Sequence, residues 1–310
     1  MINYNSAAEL RAFLEKENLG MQKKFGQNFL INQQTRKDLV NALGAESGDE
    51  VWEVGPGLGA MTAMLLENGL YVKAFEIDKG FIRVLKKLFS DNERFSLAEG
   101  DVLKTWQTQV SMSEKPRLSE PETSRQKNRF LLGNLPYNIA AVLLADLIEK
   151  GQIFPRMVVT VQKEVAQRMS ANAGTKDYSS FSVLCASVYN VKPLMLIRPS
   201  SFFPQPNVDS MGVLLEKKEQ KNREYPYFFY QLVRSLFTSR RKTVKNNLLM
   251  FFSSRLGNIN VNIQDVCSSV LRENALNGNE RAENLSIDVF VTLAKTIENM
   301  RLLNSDVNCR

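Results

Sequence analysis

Residues 51–66 constrain the fold more than any other stretch. Val51 to Val54 reads as a strand. Gly55-Pro56-Gly57-Leu58-Gly59 follows at once, and Met61 to Leu66 reads as a helix. Glycine lets the backbone approach a ligand closely, and the first turn of a helix offers unpaired N–H groups. The stretch therefore reads as a nucleotide-type binding turn. Its spacing is GxGxG rather than the GxGxxG of dinucleotide folds, and a glycine loop alone is weak support for any ligand. The same alternation, however, recurs along the chain. Tyr71 to Phe75, Phe95 to Ala98, Phe130 to Gly133, Arg156 to Val161, Leu194 to Ile197 and Met211 to Leu215 read as further strands. Helical patterns lie between them, including Phe81 to Phe89 and Ile139 to Ile148. Seven strands alternating with helices predict an α/β fold with a Rossmann-like, doubly wound seven-stranded sheet.

After Glu216 the strand pattern stops. Tyr227 to Phe237, Val244 to Phe252 and Ser286 to Met300 all show helical spacing, with Ser286 placed to cap and Asp288 in the first turn of the last. The predicted organisation is an N-terminal extension (1–20) holding a short amphipathic helix over 6–17, a sheet domain (21–216), and a small all-α domain (217–310). Residues 107–128 are rich in Ser, Glu, Lys, Arg and Gln, hold two prolines, and show no periodicity. They read as an exposed insertion, either passive or an additional contact to a partner.

Composition excludes several chemistries. None of the 310 residues is histidine, so Ser-His-Asp triads, Cys-His dyads and histidine metal sites are ruled out. The three cysteines, Cys185, Cys267 and Cys309, are far apart, so neither a zinc site nor a disulfide framework is expected. No apolar run approaches the ~18 residues that span a membrane. The charged N-terminal stretch lacks the apolar core of a signal peptide, so a cytoplasmic protein is expected. The formal charge of +7 favours a polyanionic partner.

The chemistry concentrates at strand ends. Asn134-Leu135-Pro136-Tyr137 follows the Phe130–Gly133 strand and precedes a helix, where ligands bind in open α/β sheets. The Asn134 side-chain oxygen can accept one N–H of an exocyclic amine. Pro136 has no N–H and biases Leu135 toward an extended backbone that can aim carbonyls outward. Tyr137 can stack on a base. The plain alternative is a strand-to-helix turn with a capping Asn and a helix-starting Pro. Glu76 ends the second strand, 21 positions past Gly55, which suits a hold on two ribose hydroxyls; a solvated carboxylate is the alternative. Asp101 follows the third strand and can accept from an adenine amino group. Lys23-Lys24-Phe25-Gly26-Gln27-Asn28-Phe29-Leu30 reads either as a surface turn or as a lid whose Asn28 touches a ligand while its lysines face phosphate. Phe202 to Ser210 is a proline-stiffened loop whose aromatics could face the cleft opposite Tyr137. Arg234, Arg240, Arg241, Lys242 and Lys245 alternate with Leu236, Phe237 and Val244, which predicts one apolar and one strongly positive helix side suited to phosphate.

Taken together these segments resemble the ribosomal RNA small-subunit adenine dimethyltransferases, the KsgA (RsmA) family. The matching pieces are Gly26 to Leu30, Glu53 to Gly59, Glu76-Ile77-Asp78, Gly100-Asp101, Asn134 to Ile139, Phe202 to Ser210, and Arg240-Arg241-Lys242-Thr243, in the family's order. The resemblance implies S-adenosylmethionine as cofactor and transfer of two methyls to N6 of each of two adjacent adenosines near the 3′ end of small-subunit rRNA. It implies a monomer acting on the 30S particle late in its assembly. It assigns cofactor contact to Asn28, Leu30, Gly55, Gly57, Glu76, Asp101 and Asn134. Asn134, Leu135, Pro136 and Tyr137 would hold the target adenine, with Phe202 packing from the far side. The basic residues, with Lys23 and Lys24, would meet RNA. Two departures stand out: the 107–128 insertion is long, and residues 1–20 extend past the family's usual start. The related large-subunit rRNA methyltransferases of the Erm type share the catalytic box; the Arg-Arg-Lys-Thr cluster and the helical tail favour the small-subunit enzyme. A non-catalytic RNA-binding factor would not need Asn134, Pro136 and Tyr137, and an NAD-dependent dehydrogenase would not show GxGxG spacing.

Overall fold

The computed structural model describes residues 2–21, 27–113, 128–136, 139–219, 225–256 and 261–301. The strands are β1 (Phe29–Leu30), β2 (Glu50–Val54), β3 (Tyr71–Glu76), β4 (Phe95–Glu99), β5 (Arg129–Asn134), β6 (Arg156–Gln162), β7 (Tyr189–Ile197), β8 (Phe202–Phe203) and β9 (Ser210–Lys217). The helices are α1 (Ala7–Lys16), α2 (Gln33–Ala42), α3 (Ala60–Glu67), α4 (Lys79–Phe89), α5 (Val102–Ser113), α6 (Ala140–Glu149), α7 (Lys163–Met169), α8 (Ser180–Val188), α9 (Phe229–Phe237), α10 (Val244–Leu256), α11 (Ile263–Glu273) and α12 (Ile287–Asn299). Among the described residues no helix is long and apolar enough to cross a membrane.

Seven strands form one mixed sheet in the order β4-β3-β2-β5-β6-β9-β7, and β1 pairs with β8 in a separate two-stranded ribbon. The β4-β3-β2-β5-β6 part is parallel, while β9 runs antiparallel to β6. Parallel strands are covered on both faces, so they need continuous rather than alternating apolar runs. Val51, Trp52, Glu53 and Val54 are accordingly all buried. On one face Val51, Leu65, Val72, Phe130 and Val158 share a core with Leu39 and Leu43. Trp52 packs against Phe75 and Phe154 with ring centroids 5.0 and 5.5 Å away. The strand order reverses beside β2, whose neighbours β3 and β5 are reached by crossovers in opposite directions. That is the place where a doubly wound sheet opens a crevice at its carboxyl ends.

The chain divides into two compact units, 1–166 with 190–217, and 167–189 with 218–310. This differs from the boundary read in the sequence, which kept 167–189 with the sheet. Tyr178 and Val183 are buried in the helical core with Phe228, Leu232, Leu248 and Phe290. The Tyr178 hydroxyl donates to the Leu285 carbonyl at 3.1 Å. Residues 180–188 form helix α8, started by a reciprocal Ser179–Ser182 capping box. Within the N-terminal extension, Leu10 and Leu14 are buried against Leu58, Phe81 and Val84.

The expected exposed insertion is corrected over its first part. Residues 107–113 continue helix α5, and 114–127 lie outside the described residues. Polar residues hide the helical period, but the helix is anchored at its start. Asp101 Oδ1 accepts from the Leu103 N–H at 3.0 Å, and the Trp106 indole donates to Asp146 Oδ2 at 2.8 Å.

Phe290 is buried in the helical core and stacks on Phe237 with centroids 5.8 Å apart. Phe290→Ala is expected to destabilise the helical unit by about 3–5 kcal/mol in chemical denaturation.

Candidate active site

A cavity of about 310 Å³ opens over the carboxyl ends of β2, β3, β4 and β5. It brings together Asn28, Leu30, Gly55, Gly57, Glu76, Asp101, Asn134, Leu135 and Pro136. They come from five separate stretches of the sequence, and the parallel register sets the four at the ends of β2, β3, β4 and β5 side by side. Glu53 pairs with Leu132 and Val54 with Gly133, so the glycine loop after β2 and Asn134 at the end of β5 leave the sheet together.

The glycine loop takes its path because three of its residues sit at positive φ: 71° at Gly55, 58° at Gly57 and 86° at Gly59. Gly57 has a second reason to lack a side chain, since a Cβ there would lie 3.0 Å from the Phe29 ring. The loop N–H of Gly57 donates to Glu76 Oε2 at 3.2 Å. The N–H groups of Ile77 and Asp78 donate to Glu76 Oε1 at 2.9 and 2.8 Å. Burial raises the Glu76 carboxyl to about 7, against the pull of these three donors and with a further upward push from Asp78. Glu53 is fully buried beneath the loop. Its Oε2 accepts from the Thr62 hydroxyl at 2.6 Å, and its Oε1 has no partner among the described residues. Burial, opposed by Thr62 and reinforced by Glu76, brings it to about 7 as well.

Asn134 is oriented by one bond: its Nδ2 donates to the Asn28 carbonyl at 2.8 Å. An amide whose nitrogen is engaged presents its oxygen as the acceptor. Leu135 is buried and its N–H donates to the Thr160 carbonyl at 3.1 Å. Gly133 makes room for it, because a Cβ at that position would lie 2.6 Å from Leu135 Cδ2. The Pro136 carbonyl accepts from Ile139 and Ala140 and starts α6.

Not every expected residue joins the site. Tyr137, Lys23 and Lys24 lie outside the described residues. Phe202 is a correction: at 2% exposure it packs in the sheet core with Leu30, Leu39, Phe130 and Ile197, and it does not line the cavity. The cause is strand alternation. Phe202 pairs with Leu30 and Phe203 with Phe29, so the two rings point to opposite sides of the ribbon. Phe203 joins the cluster around Leu10 and Leu58, with the Arg11 guanidinium 5.5 Å from its ring centre.

Several lining residues were not read from the sequence: Tyr4, Leu10, Gln27, Arg36 and Met61. Gln27 Nε2 donates to Asp78 Oδ2 at 2.9 Å, which ties the stretch carrying Asn28 to the start of α4. Its place inside the matched Gly26–Leu30 segment was the only signal. Tyr4 and Arg36 offered none.

In the helical unit Leu236 and Val244 are buried, while Arg234, Arg241, Lys242 and Lys245 are exposed, as the spacing predicts. Arg240 is different. Its guanidinium binds Glu283 Oε2 at 2.8 and 3.0 Å and the Lys176 carbonyl at 2.9 Å, so it braces the unit internally. Buried Asn247 donates to the Leu236 and Ser239 carbonyls and fixes the α9–α10 turn that displays Arg241 and Lys242.

Comparison with known proteins agrees with this geometry. The family model described as ribosomal RNA adenine dimethylase matches residues 18–298. The ribosomal RNA small subunit methyltransferase A of Treponema denticola is 46% identical over 299 residues, covering 95% of this chain and 96% of that one. The protein of the same name from Borreliella burgdorferi is 34% identical over 298 residues, covering 96% and 95%. Among solved structures, a dimethyladenosine transferase from Plasmodium falciparum superposes with a TM-score of 0.69 at 26% identity, covering 86% of this chain and 96% of that one. The 23S rRNA methyltransferase ErmE superposes at 0.58 with 18% identity, covering 87% and 99%, and shares the fold. On the match of the family model and of these relatives across nearly the whole chain, the protein belongs to the ribosomal RNA adenine dimethylase family.

Proposed function

We propose that the cavity binds S-adenosylmethionine and that the chain uses it to dimethylate N6 of two adjacent adenosines near the 3′ end of small-subunit rRNA. In this reading it acts as a monomer in the cytoplasm, on the 30S particle, late in assembly. The observation that carries the proposal is the oriented Asn134 amide sharing one cavity with Glu76, Asp101 and the glycine loop. The residues fit the cofactor. A carboxylate at the end of β3 matches two ribose hydroxyls, one at the end of β4 matches an adenine amino group, and a loop without side chains admits a close approach.

When bound, S-adenosylmethionine would supply a sulfonium methyl for transfer to the adenine amino nitrogen, with the cofactor sulfur as leaving group and the amino proton passing to solvent. What remains is done by the chain. The adenine N6 lone pair is delocalised into its ring and is a poor nucleophile. Acceptors at Asn134 Oδ1 and the Leu135 carbonyl draw on its hydrogens, favour a pyramidal nitrogen and aim its lone pair. They also stabilise the positive charge that develops there. No imidazole is needed, because the amino proton becomes acidic as the new bond forms. Fixing the two reactants can supply on the order of 7–11 kcal/mol in favourable cases. Unstacking the target base costs a few kcal/mol, which stacking on Tyr137 would offset. Arg241, Lys242 and Lys245, held by the braced α9–α10 turn, would engage the phosphates.

Asn134→Ala is expected to lower single-turnover methylation of reconstituted small subunits by about 100-fold or more. A rate within threefold of the parent, read by mass spectrometry of the rRNA, would refute the assignment. Cofactor binding should depend on pH. Hydroxyls are held best by an ionised Glu76, whose ionised fraction falls as pH drops through about 7. Calorimetric affinity for S-adenosylmethionine should therefore fall severalfold, about 0.5–1 log unit, from pH 8 to pH 6. Glu76→Gln should weaken binding at pH 8 and reduce that slope. A triple Arg241, Lys242, Lys245 to Ala variant should lower the log–log salt slope of small-subunit binding by about 2. Arg240→Ala should change it less than Arg241→Ala does, because its guanidinium is occupied by Glu283.

A further inference from the structure

The N-terminal segment forms one wall of the cavity, and a buried arginine holds it there. Arg36, on α2, is 3% exposed and lines the cavity beside Tyr4 and Leu30. Its Nη1 donates to the Tyr4 carbonyl at 3.3 Å and to the Leu30 carbonyl at 2.5 Å, and its Nη2 donates to Asn5 Oδ1 at 2.5 Å. Its Nε is buried with no partner among the described residues. The Tyr4 hydroxyl in turn donates to the Leu58 carbonyl, within the glycine loop, at 3.0 Å. Residues 2–5 are thus joined to the glycine loop at one point and to Arg36 of α2 at two, and the third Arg36 bond holds Leu30 of β1.

A buried guanidinium is an expensive way to hold a chain terminus, since an apolar residue of similar size avoids the desolvation cost. Its placement at a cavity wall argues for a task there. The strand order β4-β3-β2-β5 locates that task. Asp101 follows β4, Glu76 ends β3 and Asn134 ends β5, and between them Tyr4 is tied to Leu58 in the loop that follows β2. A cofactor whose base and ribose sit over β4 and β3, with its sulfonium next to Asn134, must lay its amino-acid arm across that wall.

We propose that Arg36 is a positioning residue that clamps residues 2–5 over the amino-acid arm of the cofactor, and that this clamp sets how long the cofactor stays bound. The proposal rests on the cavity being the S-adenosylmethionine site. Arg36 acts through the strap: it fixes Leu30 on one side and Tyr4 with Asn5 on the other.

The test is the affinity and dissociation rate of S-adenosylmethionine and S-adenosylhomocysteine, by calorimetry and surface plasmon resonance, on full-length Arg36→Leu, Arg36→Lys, Tyr4→Phe and Asn5→Ala proteins. Arg36→Leu is expected to raise the dissociation constant about tenfold or more, mostly through faster release, with Arg36→Lys recovering part of the loss. Tyr4→Phe and Asn5→Ala each remove one part-buried tie and should speed release about two- to fivefold, with folding intact. In turnover, the KM for the cofactor should rise by a larger factor than kcat falls. Dissociation rates within 1.5-fold of the parent in all four variants, or a lower Tm with unchanged affinity, would overturn the clamp. Failure of the parent itself to bind either ligand would overturn the cofactor reading, and the clamp with it.

Discussion

The bond from Asn134 Nδ2 to the Asn28 carbonyl spans 106 residues of sequence, and the chemistry of the cavity depends on it. A primary amide presents a donor at one end and an acceptor at the other, and rotation by half a turn exchanges them. Left to solvent, Asn134 would offer either end to a ligand. The Asn28 carbonyl selects one. Its own position is secured by the neighbouring Gln27–Asp78 hydrogen bond and by the β1–β8 ribbon, which begins one residue later. In the proposed function, the group that would accept from an aromatic amine is thereby held ready before any ligand arrives, which is the condition for electrostatic stabilisation without reorganisation.

The surrounding fold supplies geometry and dryness in the same stroke. Parallel strands buried on both faces bring four strand ends into one line, and the helices that cover them remove water from the carboxylates at those ends. Glu53 and Glu76 are both raised to about 7 for that reason, each by burial first and by a neighbouring carboxylate second. Arg36 brings the opposite charge to the lining of the same cavity as Glu76.

The centre of the sheet was legible because β5 and β6 hold apolar runs and β2 is closed by a glycine loop, and a run such as Phe130-Leu131-Leu132 needs no tertiary knowledge to be read. The residues at the strand ends, Gly55, Glu76, Asp101 and Asn134, were legible for the same reason, since the topology dictates where strand ends meet. What escaped was set by contacts remote in sequence. The polar start of 107–128 is helical because Asp101 caps it and Trp106 is pinned to Asp146. Phe202 turned inward because it pairs with Leu30, and nothing local distinguishes it from Phe203. Residues 167–189 joined the helical core through Tyr178, whose hydroxyl finds Leu285 some hundred residues on. Arg240 looked like its neighbours, yet Glu283 had claimed it.

The central claim is that the oxygen of Asn134 accepts from the target amine while its nitrogen only orients it. Asn134→Asp separates these roles, since it keeps an acceptor oxygen and loses the donor to Asn28. The decisive measurement is its single-turnover methylation rate on reconstituted small subunits, with cofactor and RNA saturating. The account predicts a rate reduced by no more than about 30-fold, because acceptance survives and only orientation is loosened. A rate indistinguishable from reaction without enzyme would contradict it.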